Sequence, residues 1–442
     1  MGSGEHPPIE DFNRRRRATR GRGPAIAATL AALTLAVCML PGGSIGRGTS
    51  ALRHHARQIA QQLGLMAAPL YADEDSGASK GAKTFAEMAD HIFGGDITPE
   101  RAVCDPFPEF NGVAVDPANN LAVFTAPNVK RLVLYQSQAG SDSSQPTDSL
   151  GIISGEASRI SGESGVALDP VKHEIYAVDT DIGNTLVAFP YSARGNAAAR
   201  ILSMPVGAYG LAISQRYRQI AITNEDDGVV MFFRLGAKGV ENPLRELRGD
   251  HTQLAEPKGL FWDDQHHELI VENVGDINRG KWDADYSGGG RYNPPSITVY
   301  SDQAKDDSAP LRKIQGSKTQ LNDPVGLAVD LAHNEIYIAN IGNNSITVYA
   351  RDGRGNVAPV RVIKGPHTNI QSPIGLAYDS VHNELWVANF GHTAEIFDRT
   401  ADGDATPKRL VRSAPAGTPT VGVVLPQALA FDSKRNQIIV GH

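Results

Sequence analysis

Seven copies of one short phrase, spaced like structural repeats and each trailed by further strand-like segments, predict an all-β chain folded as a seven-bladed β-propeller. The copies are Gly112-Val-Ala-Val-Asp116, Gly165-Val-Ala-Leu-Asp169, Gly210-Leu-Ala-Ile213, Gly259-Leu-Phe-Trp-Asp263, Gly326-Leu-Ala-Val-Asp330, Gly375-Leu-Ala-Tyr-Asp379 and Ala428-Leu-Ala-Phe-Asp432. Their first residues lie 53, 45, 49, 67, 49 and 53 positions apart. A repeat of roughly 40–50 residues made of short alternating strands is the sequence mark of a propeller blade.

The clearest copy shows what a blade contains. Gly326 to Asp330 alternates small and apolar residues and forms the first strand. Leu331 to Asn334 turns the chain into Glu335-Ile-Tyr-Ile-Ala-Asn340, whose β-branched and aromatic bias marks the second strand. Gly342 to Asn344 leads to a third strand, Ser345 to Tyr349, and the Gly-rich turn Arg351 to Gly355 to a fourth, Val360 to Ile363. The next copy repeats the plan with Gly375 to Asp379, Asn383 to Asn389, Ala394 to Phe397 and Lys408 to Val411. Fourth-strand patterns recur at Ala199 to Leu202, Pro243 to Leu247 and Pro310 to Ile314.

The seventh copy supplies only Ala428 to Asp432 and Gln437 to Val440. Ile97-Thr-Pro-Glu-Arg-Ala-Val103, ahead of the first copy, has the fourth-strand pattern. Closing a propeller removes exposed strand edges, so this segment is expected to complete the last blade beside the C-terminal strands. Phe85 to Phe93 supplies either its third strand or, from the spacing of Phe85, Met88, Ala89 and Ile92, a helical turn.

The first hundred residues lack the repeat. Residues 1–23 hold six arginines (Arg14 to Arg17, Arg20, Arg22), and residues 24–40 form an apolar run with no charge. A basic stretch before such a run is a signal peptide or a membrane anchor, which places the remainder outside the cytoplasm. Residues 41–96 make a connector, with a short amphipathic helix expected over Ala51 to Met66, and residues 97–442 form the propeller. Outside the apolar run Cys104 is the one cysteine, so the exported part has no intrachain disulfide to rely on. The net charge is −7. Eleven Lys and Arg against nine Asp and Glu give the first 96 residues +2, leaving −9 for the propeller. That balance excludes a nucleic-acid surface or an anionic-lipid surface there.

Binding in such a fold resides where loops meet the central axis. The residue before each first-strand Gly (Ala in the last copy) should ring the channel mouth: Asn111, Ser164, Tyr209, Lys258, Val325, Ile374 and Gln427. A ring with two amides, one lysine and two aliphatics is a poor metal cage. Asp179, Asn224, Asn273, Asn340 and Asn389 end the second strands and are expected to serve turns. His173, His267, His333 and His382 recur at first-to-second-strand turns on the opposite face, and a structural use is expected for them. One region breaks the repeat: the fourth copy carries about 20 extra residues, Val274 to Pro295, between its second and third strands. It holds Asp276, Trp282, Asp283, Asp285, Tyr286 and Tyr292. With Asp179 and Asp181, and with Glu225, Asp226 and Asp227 from the preceding blades, it forms an acidic, aromatic sector suited to a cation or to a basic or polyhydroxyl ligand. No cofactor is called for; a divalent cation such as calcium is left open.

Glu335-Ile-Tyr-Ile-Ala-Asn340 and Glu384-Leu-Trp-Val-Ala-Asn389, each after a Gly-Leu-Ala strand, resemble the NHL and YVTN classes of bacterial repeat propellers. The resemblance spans Ile97 to His442 and implies the fold, while such propellers serve as sensors, adhesion modules, scaffolds and occasionally enzymes. The expected function is an exported, envelope-associated, non-catalytic module binding a protein, peptide or glycan. The alternative is a metal-dependent lactonase similar to the gluconolactonase group, of whose metal ligands Glu109 is an echo; the group's Glu-Gly-Pro start is absent. An NHL-type lyase would need converging His ligands, which the distributed histidines do not supply.

Overall fold

A computed structural model describes residues 96–97, 110–139, 147–179, 182–275, 293–389, 393–411 and 428–441. A short strand, β1 (Asp96–Ile97), precedes six four-stranded antiparallel sheets formed in chain order. The first is β2–β5 (Gly112–Asp116, Leu121–Ala126, Arg131–Gln136, Gly151–Ser154) and the second β6–β9 (Glu163–Asp169, Glu174–Asp179, Thr185–Pro190, Arg200–Ser203). The third is β10–β13 (Ala208–Ser214, Gln219–Asn224, Val229–Arg234, Arg245–Leu247) and the fourth β14–β17 (Pro257–Asp263, Glu268–Asn273, Ser296–Ser301, Arg312–Gln315). The fifth is β18–β21 (Pro324–Asp330, Glu335–Asn340, Ser345–Ala350, Arg361–Ile363) and the sixth β22–β25 (Pro373–Asp379, Glu384–Asn389, Thr393–Asp398, Arg409–Val411). A two-stranded sheet, β26 (Ala428–Asp432) with β27 (Gln437–Gly441), ends the chain.

The all-β propeller and its four-stranded blades match the reading of the sequence, but the described residues hold six such blades rather than seven. Among the described residues the last sheet, β26–β27, is two-stranded. It lies between β22 and β2. Ile439 packs on the first blade's core beside Phe110 and Phe124, and Arg435 Nη1 donates to the Pro117 carbonyl at 3.1 Å. The N-terminal strand also departs from expectation. β1 runs parallel to β25 at the outer edge of the sixth blade, Asp96 opposite Leu410 and Ile97 opposite Val411. Five earlier outer strands make a similar parallel contact with a turn of the following blade, as in Ile153 with Gly195 and Ile363 with Gly403. β1 therefore takes the place of such a turn. The rest of the segment expected to close the last blade, with Phe85 to Phe93, Ala51 to Met66 and the apolar run 24–40, lies outside the described residues. Among the described residues no helix is long and apolar enough to cross a membrane.

The repeated phrase has a local cause. The aspartate ending the first strand folds its carboxylate over the next turn: Asp330 Oδ1 accepts the Ala332 and His333 amides at 3.0 and 3.1 Å. Asp116, Asp169, Asp263, Asp379 and Asp432 do the same. The turn closes on a residue with positive φ at Asn120, His173, Arg218, His267, Asn334, Asn383 and Asn436, a conformation that favours Asn. The second and third strands are buried on both sides because neighbouring blades stack face to face. Tyr176 and Val178 of the second blade, for example, pack with Ile220, Ile222 and Met231 of the third.

Candidate functional site

The seven first strands surround one cavity of 580 Å3 on the propeller axis, walled by their Gly-Val, Gly-Leu and Ala-Leu steps. Glycine is required where the next blade presses in. A Cβ on Gly210 would stand 2.2 Å from the Lys258 carbonyl oxygen, and one on Gly326 would stand 2.0 Å from that of Ile374. Of the residues expected at the mouth, Asn111, Ser164, Tyr209, Val325 and Ile374 line this cavity. Lys258 stands beside it, held to the lining residue Glu225, and Gln427 lies outside the described residues.

Lys258, Glu225 and Asp323, on blades three to five, bring charge to the mouth. Lys258 Nζ sits 3.4 Å from Glu225 Oε2 and 5.2 Å from the centre of the Tyr209 ring. Burial works against this ammonium, but Tyr209, Glu225 and Asp323 outweigh it and hold it above its ordinary range. Asp323, raised chiefly by burial, opens the fifth blade with φ of 50°, a strained backbone for a residue other than glycine. Behind Lys258 lies Glu272, fully buried, with neither carboxylate oxygen hydrogen-bonded. Burial pushes its pKa up to about 8, Lys258 pulling it down and Asp323 adding to the rise. Its Oε2 is 2.7 Å from where a Cβ on the channel-lining Gly259 would be, so only glycine lets the carboxyl reach the wall.

Glu272 was not among the residues the sequence pointed to, yet a signal was present. Opposite the first-strand glycines of four blades the second strand carries a small or uncharged residue, Thr125, Val178, Ala339 and Ala388, and in the third blade Thr223 bonds the Gly210 amide. In the fourth blade the same place holds a glutamate. Glu163, at the mouth of the second blade, is a second omission. It is buried, its Oε1 accepts the Ser161 amide at 3.0 Å, and burial with the Asp179 charge pushes its pKa up to about 7.

The anticipated acidic sector divides. Asp181 and the loop residues Asp276, Trp282, Asp283, Asp285, Tyr286 and Tyr292 lie outside the described residues. Glu225 turns to the axis, whereas Asp227 faces Arg248 at 4.0 Å, and Asp226 packs under Gly207. Asp179 is taken up by its own loop, its Oδ1 accepting the Ile182, Gly183 and Asn184 amides and its Oδ2 the Ser161 hydroxyl at 2.5 Å. The asparagines at second-strand ends pin the linkers entering the first strands. Asn340 accepts the Asn322 amide at 3.0 Å and donates to Thr347 Oγ1 at 3.0 Å, and Asn273 bonds the Ala255 amide and Thr298 in the same way. The turn histidines serve their turns: His333 and His382 each bond the preceding first-strand aspartate at 2.7 Å, His267 bonds Asp302, and His173 stacks on Tyr191. Among the described residues no group of three or more His, Cys, Asp or Glu is placed to hold a metal ion. Glu109, the echo of a lactonase ligand, lies outside them.

No protein-family model matches the chain, and no curated protein is similar to it in sequence. Solved structures are similar in shape. The chain matches the WD40 β-propeller domain of Doa1 with a TM-score of 0.54 at 11% identity, over 77% of this chain and 92% of that one. It matches a functionally unknown protein from Desulfotomaculum acetoxidans DSM 771 with a TM-score of 0.50 at 14% identity, over 77% and 94%. What these likenesses carry is the fold, a β-propeller.

Proposed function

We propose that the protein is an exported, envelope-associated binding module, a propeller of the NHL/YVTN type that takes hold of a protein, peptide or glycan segment at its channel mouth without chemical conversion. The observation that carries this reading is the axial cavity, lined by Gly-Val and Gly-Leu steps with Asn111, Ser164, Tyr209 and Glu225 among them. Concave, mostly preformed sites with a few placed polar groups are where ligands are bound. Export rests on the arginine-rich start and the uncharged run over residues 24–40.

Two measurements test the reading. Alkaline phosphatase fused after residue 96 should be active in a bacterial host and should lose activity when residues 24–40 are deleted; equal activity of both fusions rejects export. A photo-crosslinking amino acid in place of Ser164 at the mouth should yield discrete adducts in cell envelopes. The same probe at Val171, 63% exposed in a first-to-second-strand turn, should yield none. Adducts from Val171 alone would move the binding surface to the opposite face.

A further inference from the structure

The polar sector of the mouth treats its own lysine as a bound cation. The Lys258 ammonium is held between the Glu225 carboxylate and the face of the Tyr209 ring, the two kinds of group that receive an ammonium ligand. One strand behind it, Glu272 is buried with both oxygens unbonded, although buried polar groups are almost always paired. It stands against Gly259, the residue after Lys258, and feels the Lys258 charge. Glu225 and Asp323 thus act on one cation, Glu225 at ion-pair distance, and the charge of that cation reaches the buried carboxyl of Glu272. A vacant acceptor beside a paired lysine is the arrangement a two-position side chain requires.

We infer that the mouth recognises a primary ammonium on an unbranched alkyl stem, which takes the place of Lys258 between Glu225 and the Tyr209 ring while Lys258 moves to Glu272. This deepens the binding reading above and rests on it. The Gly-Leu steps of the cavity receive the stem. The exchange leaves no charge unpaired: the incoming ammonium meets Glu225, and the displaced ammonium meets Glu272. In the free protein burial holds the Glu272 proton up to about pH 8, against the pull of Lys258 and with Asp323 and Tyr209 as the other ionisable neighbours. Below that pH, moving Lys258 onto Glu272 expels this proton to solvent, and occupation releases about one proton per ligand. Affinity therefore rises with pH up to about 8 and then levels. The ligand's own amine, with an ordinary pKa of about 10.4, stays charged throughout. A free diamine and a lysine side chain in an extended peptide present the same group.

Isothermal titration of the full chain with cadaverine, with the peptide acetyl-Gly-Lys-Gly-amide and with 1,5-pentanediol tests the exchange, run in buffers of different ionisation enthalpy at pH 6.5 and 8.5. At least one amine should bind and the diol should not. Binding should tighten about 25-fold between the two pH values, with proton release at the lower one. Peptide binding without cadaverine binding assigns the site to protein chains, and the reverse assigns it to small amines. Lys258→Met empties the Glu225–Tyr209 place and should tighten amine binding about tenfold. Glu272→Gln, which keeps the shape, should weaken it about tenfold and abolish the pH dependence and proton release. Weaker binding by Lys258→Met, or an unchanged pH slope in Glu272→Gln, overturns the proposal, as does absence of amine binding to a Lys258→Met chain whose melting temperature is intact. Adducts persisting at Ser164 while amines fail would overturn this exchange alone; amine binding without Ser164 adducts would leave it standing and reject the envelope partner.

Discussion

At the scale of single residues, Glu272 is the most consequential departure from the repeat. A buried carboxyl with no partner costs about 1–3 kcal/mol relative to a residue that needs none. Glu395 in the sixth blade shows the contrast: it is buried as deeply, but Thr393 Oγ1 at 2.5 Å and Asn369 Nδ2 at 2.7 Å donate to it, with Asn389 adding a third bond. Thr223 fills the Glu272 place in the third blade, bonding the Gly210 amide at 2.8 Å. Glu272→Thr should therefore raise stability by about 1–3 kcal/mol at pH 8.5. The sign with pH follows from the direction of the shift. The folded protein holds the Glu272 proton up to about pH 8, whereas the unfolded chain gives it up in the ordinary carboxyl range. The glutamate's contribution is therefore most favourable at low pH and is lost as pH rises through about 8. Melting by calorimetry should show a smaller gain at pH 5 than at pH 8.5. A variant that melts lower than the parent at pH 8.5 would show that Glu272 has a structural partner. If the gain appears, the glutamate is kept at a cost in stability, as residues of binding sites often are.

At the scale of the strand, the blades are tied by a second repeated device. The glutamate opening the second strand pairs with the arginine opening the fourth: Glu174 with Arg200, Glu268 with Arg312, Glu335 with Arg361 and Glu384 with Arg409. Glu268 and Glu335 also receive Arg351 and Arg399 from the following blade, so the pairs lock neighbours together. The third blade breaks the pattern with Gln219 opposite Arg245. Gln219 Oε1 and Arg245 Nη1 are both buried without a partner, and burial pulls the guanidinium pKa down to about 10. Arg245 instead stacks 3.6 Å above the Phe232 ring. Gln219→Glu should restore a charge-assisted pair and add about 1–2 kcal/mol, read as a shift of the urea midpoint at constant slope. An unchanged midpoint would mean that the stacked geometry cannot re-form the pair. This device also explains what was legible. The strands follow from alternation, and the turn aspartates from a fixed offset that six of the seven copies keep. Glu272, Glu163 and Asp323 form their setting only when three-dimensional neighbours bury them, and their letters differ from one blade to the next. A repeat makes the shared plan visible; the site lies in deviations from it.

At the scale of the whole molecule, a propeller is stable because each sheet is covered on both faces, and that condition fails at any gap in the ring. Here the two-stranded sheet β26–β27 stands between the sixth and first blades. It is half the size of its neighbours, yet it covers β22 on one side and β2 on the other, where Ile439 meets the core around Phe110, Phe124 and Tyr135. Arg435, held at 2.9 Å by the Asp432 carboxylate of its own hairpin, links the sheet to the Pro117 carbonyl of the first blade. Among the described residues the contacts that close the ring there are mostly apolar. Removing residues 428–442 uncovers the faces of both neighbours at once and should cost about 4 kcal/mol or more, lowering the melting temperature by roughly 10 °C. Apolar exposure of that kind also promotes association, so size-exclusion chromatography should show oligomers of the shortened chain at concentrations where the full chain gives one peak. Arg435→Ala, which removes the polar link and keeps the apolar cover, should cost only about 1 kcal/mol. If instead Arg435→Ala reproduces the loss seen on removing residues 428–442, the closure is held by that one polar link. If the shortened chain melts with the full one, the six four-stranded blades are stable as an open arc and the last sheet is an addition to them.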